Sequence, residues 1–271
     1  MKLSPGTVLF QNKILKPSKW SLKEWKYNVP AWIRVYFFFC SGVNSYTVLC
    51  QFYKLLSEAL EKGWSLSCFV NEALILLEEL KRKPASDPDY YQSIELLYNC
   101  DRLRRTLEVH DSSIYGYSAF CNNFSNYQLQ AYPAFQFFRQ AGAKTKREDH
   151  VKHEGVIKLK SDIDFWVSMN NETNGGFGLP YEPFGFRSWM RLRKISREQC
   201  ENTLGFMNLR NNIDLTPAER EKWGLPMKKE EDFRDKERLH VVSELKKWGV
   251  WEVRKKVLEF MHQDLNSSIF G

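Results

Sequence analysis

Between Tyr132 and Arg197 the helical periodicity of this chain stops, and glycine, proline and asparagine punctuate short apolar runs. Three strand-length pieces emerge: Phe135 to Arg139, Val156 to Leu159 and Met190 to Ile195. Turn residues separate them, densest over Asn174-Gly175-Gly176-Phe177-Gly178-Leu179-Pro180-Tyr181-Glu182-Pro183-Phe184-Gly185. Strand-length runs bounded by such residues fold as a small antiparallel sheet. That sheet is what the flanking segments have to pack around.

The flanks read as helix. Residues 1 to about 30 are polar and aperiodic, an extended arm with one short helix at Ser21 to Trp25. From Ala31 to about Leu60, Tyr46, Leu49, Phe52, Tyr53, Leu56 and Leu60 recur at helical spacing, and Lys62-Gly63 supplies a stop. A second helix spans about Ser67 to Lys83, ended by Pro84. Asp87-Pro88 reads as N-cap and first helical position of a third, carrying Tyr91, Ile94, Leu97 and Leu103. Gly116 interrupts a Tyr-rich helical stretch that continues to about Gln130. Thr216-Pro217-Ala218-Glu219 is a capping box, and a long charged helix over about Asp232 to Leu265 bends near Gly249. The expected fold class is α+β: a helical N-terminal half, a small antiparallel sheet in the middle and a long C-terminal helix. The expected segments are an arm over 1–30, a helical domain over 31–130, a β-rich domain over 131–212 and a helical segment over 213–271.

The 271 residues carry a formal charge of +7 with a pI near 9.0. Clustered Lys and Arg gain free energy by releasing counterions from a phosphate backbone, so the charge leans towards polyanionic partners, although a modest excess also suits an ordinary basic protein. Six scattered cysteines form no Cys-x-x-Cys pair, which argues against a zinc frame or a disulfide scaffold and for a reducing compartment. Met1 to Gly6 has no apolar core of a secretory signal. Val35 to Cys40, the strongest apolar run, is far too short to span a bilayer.

Arg147-x-x-His150-x-x-His153 is the sharpest candidate for chemistry. The imidazoles can move protons near neutral pH and the guanidinium can bind phosphate, as in a metal-independent nuclease; three residues apart, the two histidines could also share a metal. The plainer reading is a polar turn whose Arg and His bond the backbone. Gly175-Gly176-Phe177-Gly178 lacks the Lys-Ser/Thr of a phosphate loop and reads as turn chemistry. The run from Arg187 to Arg197 holds Arg187, Arg191, Arg193, Lys194 and Arg197 without an acid, with Trp189 among them. As a strand it puts Arg191 and Arg193 on one face and Leu192 on the other. That strip suits sequence-independent phosphate contact, with Trp189 available for stacking or for simple packing, or is a solvated face.

These residues resemble, in order, the MuF-like minor head proteins of tailed bacteriophages. The resemblance rests on Tyr132-Pro133, Arg147-x-x-His150-x-x-x-x-Gly155-Val156, Asp164-Phe165-Trp166, Pro180-Tyr181-Glu182-Pro183-Phe184-Gly185-Phe186, Arg191-x-Arg193, Ile195-Ser196-Arg197-Glu198 and Leu204-Gly205, and covers roughly residues 45 to 206. Where many members carry Cys-x-Cys, this chain has Ser188 and Met190, neither a useful zinc ligand. The resemblance implies a non-enzymatic structural protein of the virion head interior, made in the host cytoplasm. Its implied partners are the portal or major capsid protein and non-specific double-stranded DNA, with no membrane, cofactor or metal. It acts in head assembly and in DNA packaging or ejection. Arg147, His150, Gly155, Trp166, Pro183 and Gly185 are then structural motif residues. The alternatives are a nucleic-acid-cleaving or nucleotide-transferring enzyme using Arg147, His150 and His153, or a cement-like capsid component.

Overall fold

A computed structural model of the chain describes residues 3–140, 147–173, 175–185, 188–205, 209, 213–228 and 235–267. The fold is α+β, and the chain divides into two compact units: Thr7–Ser112, and Ser113–Gly271 together with Met1–Gly6.

In the first unit the expected arm is not extended. Pro5–Gln11 forms α1, and Val8, Leu9 and Phe10 are buried, because this segment carries the apolar side chains that a solvated arm would lack. Ile14–Leu15 (β1) pairs in parallel with Phe37–Phe38 (β2). Leu22–Asn28 (α2) starts at Ser21, whose side chain and that of Glu24 cap each other's backbone in a capping box. The helix expected from Ala31 to Leu60 is broken: Ala31–Arg34 (α3) gives way to β2, and Tyr46–Lys62 (α4) begins only at the Ser45 cap. The pairing explains the break, since Ile14 and Lys16 donate their N–H groups to the carbonyls of Tyr36 and Phe38. Gly63, with φ 64°, ends α4 as expected.

Leu66–Lys81 (α5) packs Phe69, Val70, Ala73, Leu77 and Leu80 inward. Asp87 does not cap a helix. Its carboxylate accepts from Asp89 N–H, Asp89 itself is held by Asn44 and Lys19, and Tyr90–Leu97 (α6) starts two residues later than expected. At Tyr98 the chain leaves helical geometry, and Cys100–Asn123 (α7) restarts with the Asn99 side chain accepting from Arg102 N–H.

α7 runs on into the second unit without a break at Gly116. Glycine is required there by close approach rather than by a turn: a Cβ at Gly116 would lie 1.8 Å from the Glu182 carbonyl oxygen. Asn126–Ala131 (α8) leads into the sheet. Ala134–Arg139 (β3) is central, flanked antiparallel by Ile157–Leu159 (β4) and Met190–Ile195 (β5), with Phe137 opposite Leu192 and Phe135 opposite both Lys158 and Lys194. The period-two alternation of β3 gives the sheet two packed faces. On one, Phe135 and Phe137 meet Trp166 and Met169 of Ile163–Met169 (α10, following the short helix α9 at Glu148–His153), together with Phe184 and Met190. On the other, Ala134, Leu159 and Ile195 meet Cys200 of Arg197–Leu204 (α11) and Leu209.

Pro217–Trp223 (α12) opens with the expected Thr216/Glu219 capping box. The long C-terminal helix is two helices, Lys236–Lys247 (α13) and Trp251–Ser267 (α14), separated by a turn at Gly249 with φ 70°. Residues 232–234, expected at its start, lie outside the described residues. Glu221 of α12, 2% exposed, joins the three helices by pairing with Arg238 of α13 (3.0 Å) and with Arg254 of α14 (3.5 Å), which is fully buried and also donates to the carbonyls of Glu221 and Leu225.

Gly116→Ala tests the close approach. An exposed helix interior gains about 1 kcal/mol from such a change, but overpacking against a backbone carbonyl costs about 2–3 kcal/mol. Net destabilisation in denaturant unfolding is the expected outcome, and a gain in stability would show that the contact yields.

Candidate functional site: the pinned turn and the arginine strand

Leu179 to Gly185 is buried at every residue and has no regular secondary structure. A buried segment of that kind must find partners for its carbonyls outside any ladder. Asn170, fully buried at the end of α10, reaches three of them. Its Nδ2 donates to the carbonyls of Leu179 (2.9 Å), Tyr181 (3.1 Å) and Pro183 (3.1 Å), and its Oδ1 accepts from Phe177 N–H at 2.8 Å. Arg147 takes the next carbonyl, donating from Nη1 to Phe184 at 3.1 Å. The Glu182–Pro183 peptide bond is cis.

The two histidines serve the same framework. His150 is 1% exposed, and its Nε2 donates to the Met169 carbonyl at 2.8 Å, which fixes the neutral tautomer. Nδ1 is buried without a hydrogen-bond partner, so burial pushes the imidazole below its ordinary value. His153 Nδ1 donates to the Asp149 carbonyl at 2.7 Å within its own short helix, and its ring lies edge-on to Phe165. The spacing therefore does not bring two free imidazoles together. Trp166 donates from Nε1 to the Leu159 carbonyl, tying α10 to β4. Gly155 and Gly185 have φ of 89° and 111°, backbone that favours glycine. The Gly155 N–H donates to the Phe137 carbonyl at 2.7 Å. Among the described residues no group of His, Cys, Asp and Glu is placed to hold a metal.

β5 is an edge strand, and Glu182 covers that edge. Its Oε1 accepts from Leu192 N–H at 2.8 Å and its Oε2 pairs with Arg191 at 3.1 Å. Burial pushes this carboxyl up, opposed by Arg191 and the Leu192 N–H. Leu192 packs into the sheet core, while Arg191 and Arg193 stand on the opposite face, the alternation expected from the strand. The basic strip is smaller than its charges suggest. Arg191 is paired with Glu182; Arg197 is held by the Gln130 carbonyl and side chain and lies 3.6 Å from Glu201. Arg187 lies outside the described residues, as does Phe186. Arg193 and Lys194 remain exposed with neutral partners: Gln136 for Arg193, whose guanidinium also lies 6.0 Å over the Phe138 ring, and Gln128 for Lys194 at 2.9 Å.

Two residues that give no sequence signal matter here. Asn170 is one asparagine among turn residues and carries no pattern. Lys160 is buried, donating to the carbonyls of Asn123 and Gln128 at 3.2 Å each and lying over the Phe135 ring, and desolvation brings it down to about 7. It anchors the end of α7 and α8 to the sheet. Comparison with family models, curated proteins and solved structures finds no match to this chain.

Asn170→Asp replaces a donor facing three carbonyls with a carboxylate that cannot donate. A loss of about 3 kcal/mol or more in denaturant unfolding is expected; a loss within experimental error would mean that the turn holds itself. For His150, the folded pKa lies below the unfolded one, so its contribution is fully present above 6.5 and is lost as pH falls below that value. Stability should therefore decline less steeply on acidification in His150→Gln than in the parent chain, and parallel pH curves would reject the assignment.

Proposed function

We propose that this chain is a structural, DNA-contacting protein of the MuF-like minor head type, associated with the portal or capsid of a tailed phage. It contacts double-stranded DNA without sequence preference through the edge strand β5. The observation that carries the DNA part is the contrast within the arginine run: Arg193 and Lys194, on opposite faces of the edge strand, are exposed and among the described residues have only neutral partners, while Arg191 and Arg197 have acids beside them. Cations without acidic neighbours are those that gain most from a phosphate. The pinned roles of Arg147, His150 and His153 support a structural reading over a nuclease or transferase built on them. A general base must reach its proton, and the His150 ring is buried with Nε2 committed to a carbonyl. The family assignment itself rests on the order of motifs from Tyr132 to Gly205.

Duplex binding measured by fluorescence anisotropy across salt concentrations tests the site. Each phosphate contact adds about 0.9 to the slope of log affinity against log salt. Arg193→Gln with Lys194→Gln should weaken binding and flatten the slope by about 2, with the unfolding midpoint unchanged; an unchanged slope removes the strip as the DNA contact. Purified virions that lack the chain, or contain it at the copy number of the capsid lattice, would reject the portal-linked role.

A further inference from the structure

We infer that the open end of the β3–β5 face is a stacking platform for the unpaired bases of single-stranded DNA, which deepens and rests on the DNA-contact reading above. The face carrying Ala134, Leu159 and Ile195 is covered by Cys200 and Leu209, and among the described residues this apolar cluster lies at that end of the face. Towards the other end the same face carries Gln136 opposite Arg193 and Phe138 opposite Arg191. The ladder continues one step further, where Gln140 N–H donates to the Trp189 carbonyl at 2.9 Å.

Three features of this end fit a base rather than a phosphate alone. Trp189 is 41% exposed, a large apolar ring left in water at the edge of a basic strand. It is also the single non-glycine residue with positive φ among those described, at 56°, a conformation that an ordinary side chain enters at a cost of order 1–3 kcal/mol. The Arg193 guanidinium bonds the Gln136 side chain and lies 6.0 Å from the Phe138 ring centroid, so a planar cation stands beside an aromatic ring where a base can stack. The acids nearby, Glu182 and Glu154, are paired with Arg191 and Arg139, so the face carries no unpaired negative charge among these residues. Exposed aromatic and guanidinium planes on a positive surface bind unpaired bases, whose ring faces are accessible; in a duplex those faces are buried in the stack.

The test compares oligo-thymidylate with a duplex of the same length, by anisotropy on the full chain at one salt concentration. The parent chain should bind the single strand more tightly. Trp189→Gly suits the backbone and removes the ring; it should weaken single-strand binding about tenfold while leaving duplex binding and the thermal midpoint in place. Trp189→Phe should retain single-strand binding. Equal parent affinity for both probes, or equal loss on both in Trp189→Gly, overturns the platform and leaves the phosphate contact standing if the Arg193 and Lys194 double variant still weakens duplex binding. Binding of neither probe by the parent chain overturns both.

Discussion

The second unit depends on one demand: seven consecutive residues, Leu179 to Gly185, are buried without a ladder to satisfy their backbone. An unpaired buried carbonyl costs about as much as a lost hydrogen bond, so such a segment is tolerated only where side chains take over the pairing. Asn170 takes alternate carbonyls at 179, 181 and 183, and Arg147 takes 184. The rest of the region is arranged to keep those two side chains in place. His150, from the same short helix that follows Arg147, bonds the carbonyl of Met169, the residue before Asn170. Trp166, in the middle of α10, ties that helix to β4. The turn then delivers Glu182, whose carbonyl sits against Gly116 and whose carboxylate closes the edge of β5.

That chain of dependence explains which parts of the fold are legible in the sequence. The central strands are, because alternation is local: Phe135, Phe137 and Leu192 point one way for the same reason that Arg191 and Arg193 point the other. Helix starts at Ser21 and Thr216 are legible because a capping box is complete within four residues. Long-range determinants are not. Nothing near Phe37 announces a partner at Ile14, so the run from Ala31 reads as one helix. Gly116 looks like an interruption because the carbonyl that requires it lies 66 residues away in sequence, the difference between 182 and 116. Asp87-Pro88 has the composition of a helix start, but the helix begins beyond it because Asp87 bonds the Asp89 N–H instead.

The candidate site shows the same limit in its charges. Sequence displays the cations of Arg187 to Arg197 but not their partners, and an acid nine residues before Arg191 or four after Arg197 looks remote until the turn and the helix bring it close. The basic run therefore resolves into two kinds of residue. Arg191 and Arg197 hold the strand to the turn and to α8. Arg193 and Lys194 are held by the side-chain amides of Gln136 and Gln128, with no acid beside them among the described residues. The histidines sort in the opposite direction, from suggestive spacing to backbone bonds: His150 is committed to the Met169 carbonyl at the end of α10 and His153 to the Asp149 carbonyl of its own short helix.

The packing of the sheet also limits where function can sit. One face is filled along β3 by Trp166, Met169, Phe184 and Met190, and the other is closed at the Ile195 end by Cys200 and Leu209. The β5 edge, the usual place for an added strand, has its Leu192 N–H occupied by Glu182, a local device against edge-to-edge pairing. A partner arriving as a strand would have to displace that buried carboxylate and leave Arg191 unpaired, which is costly for a charge taken from water. The geometry of the turn thus selects against augmentation at the β5 edge.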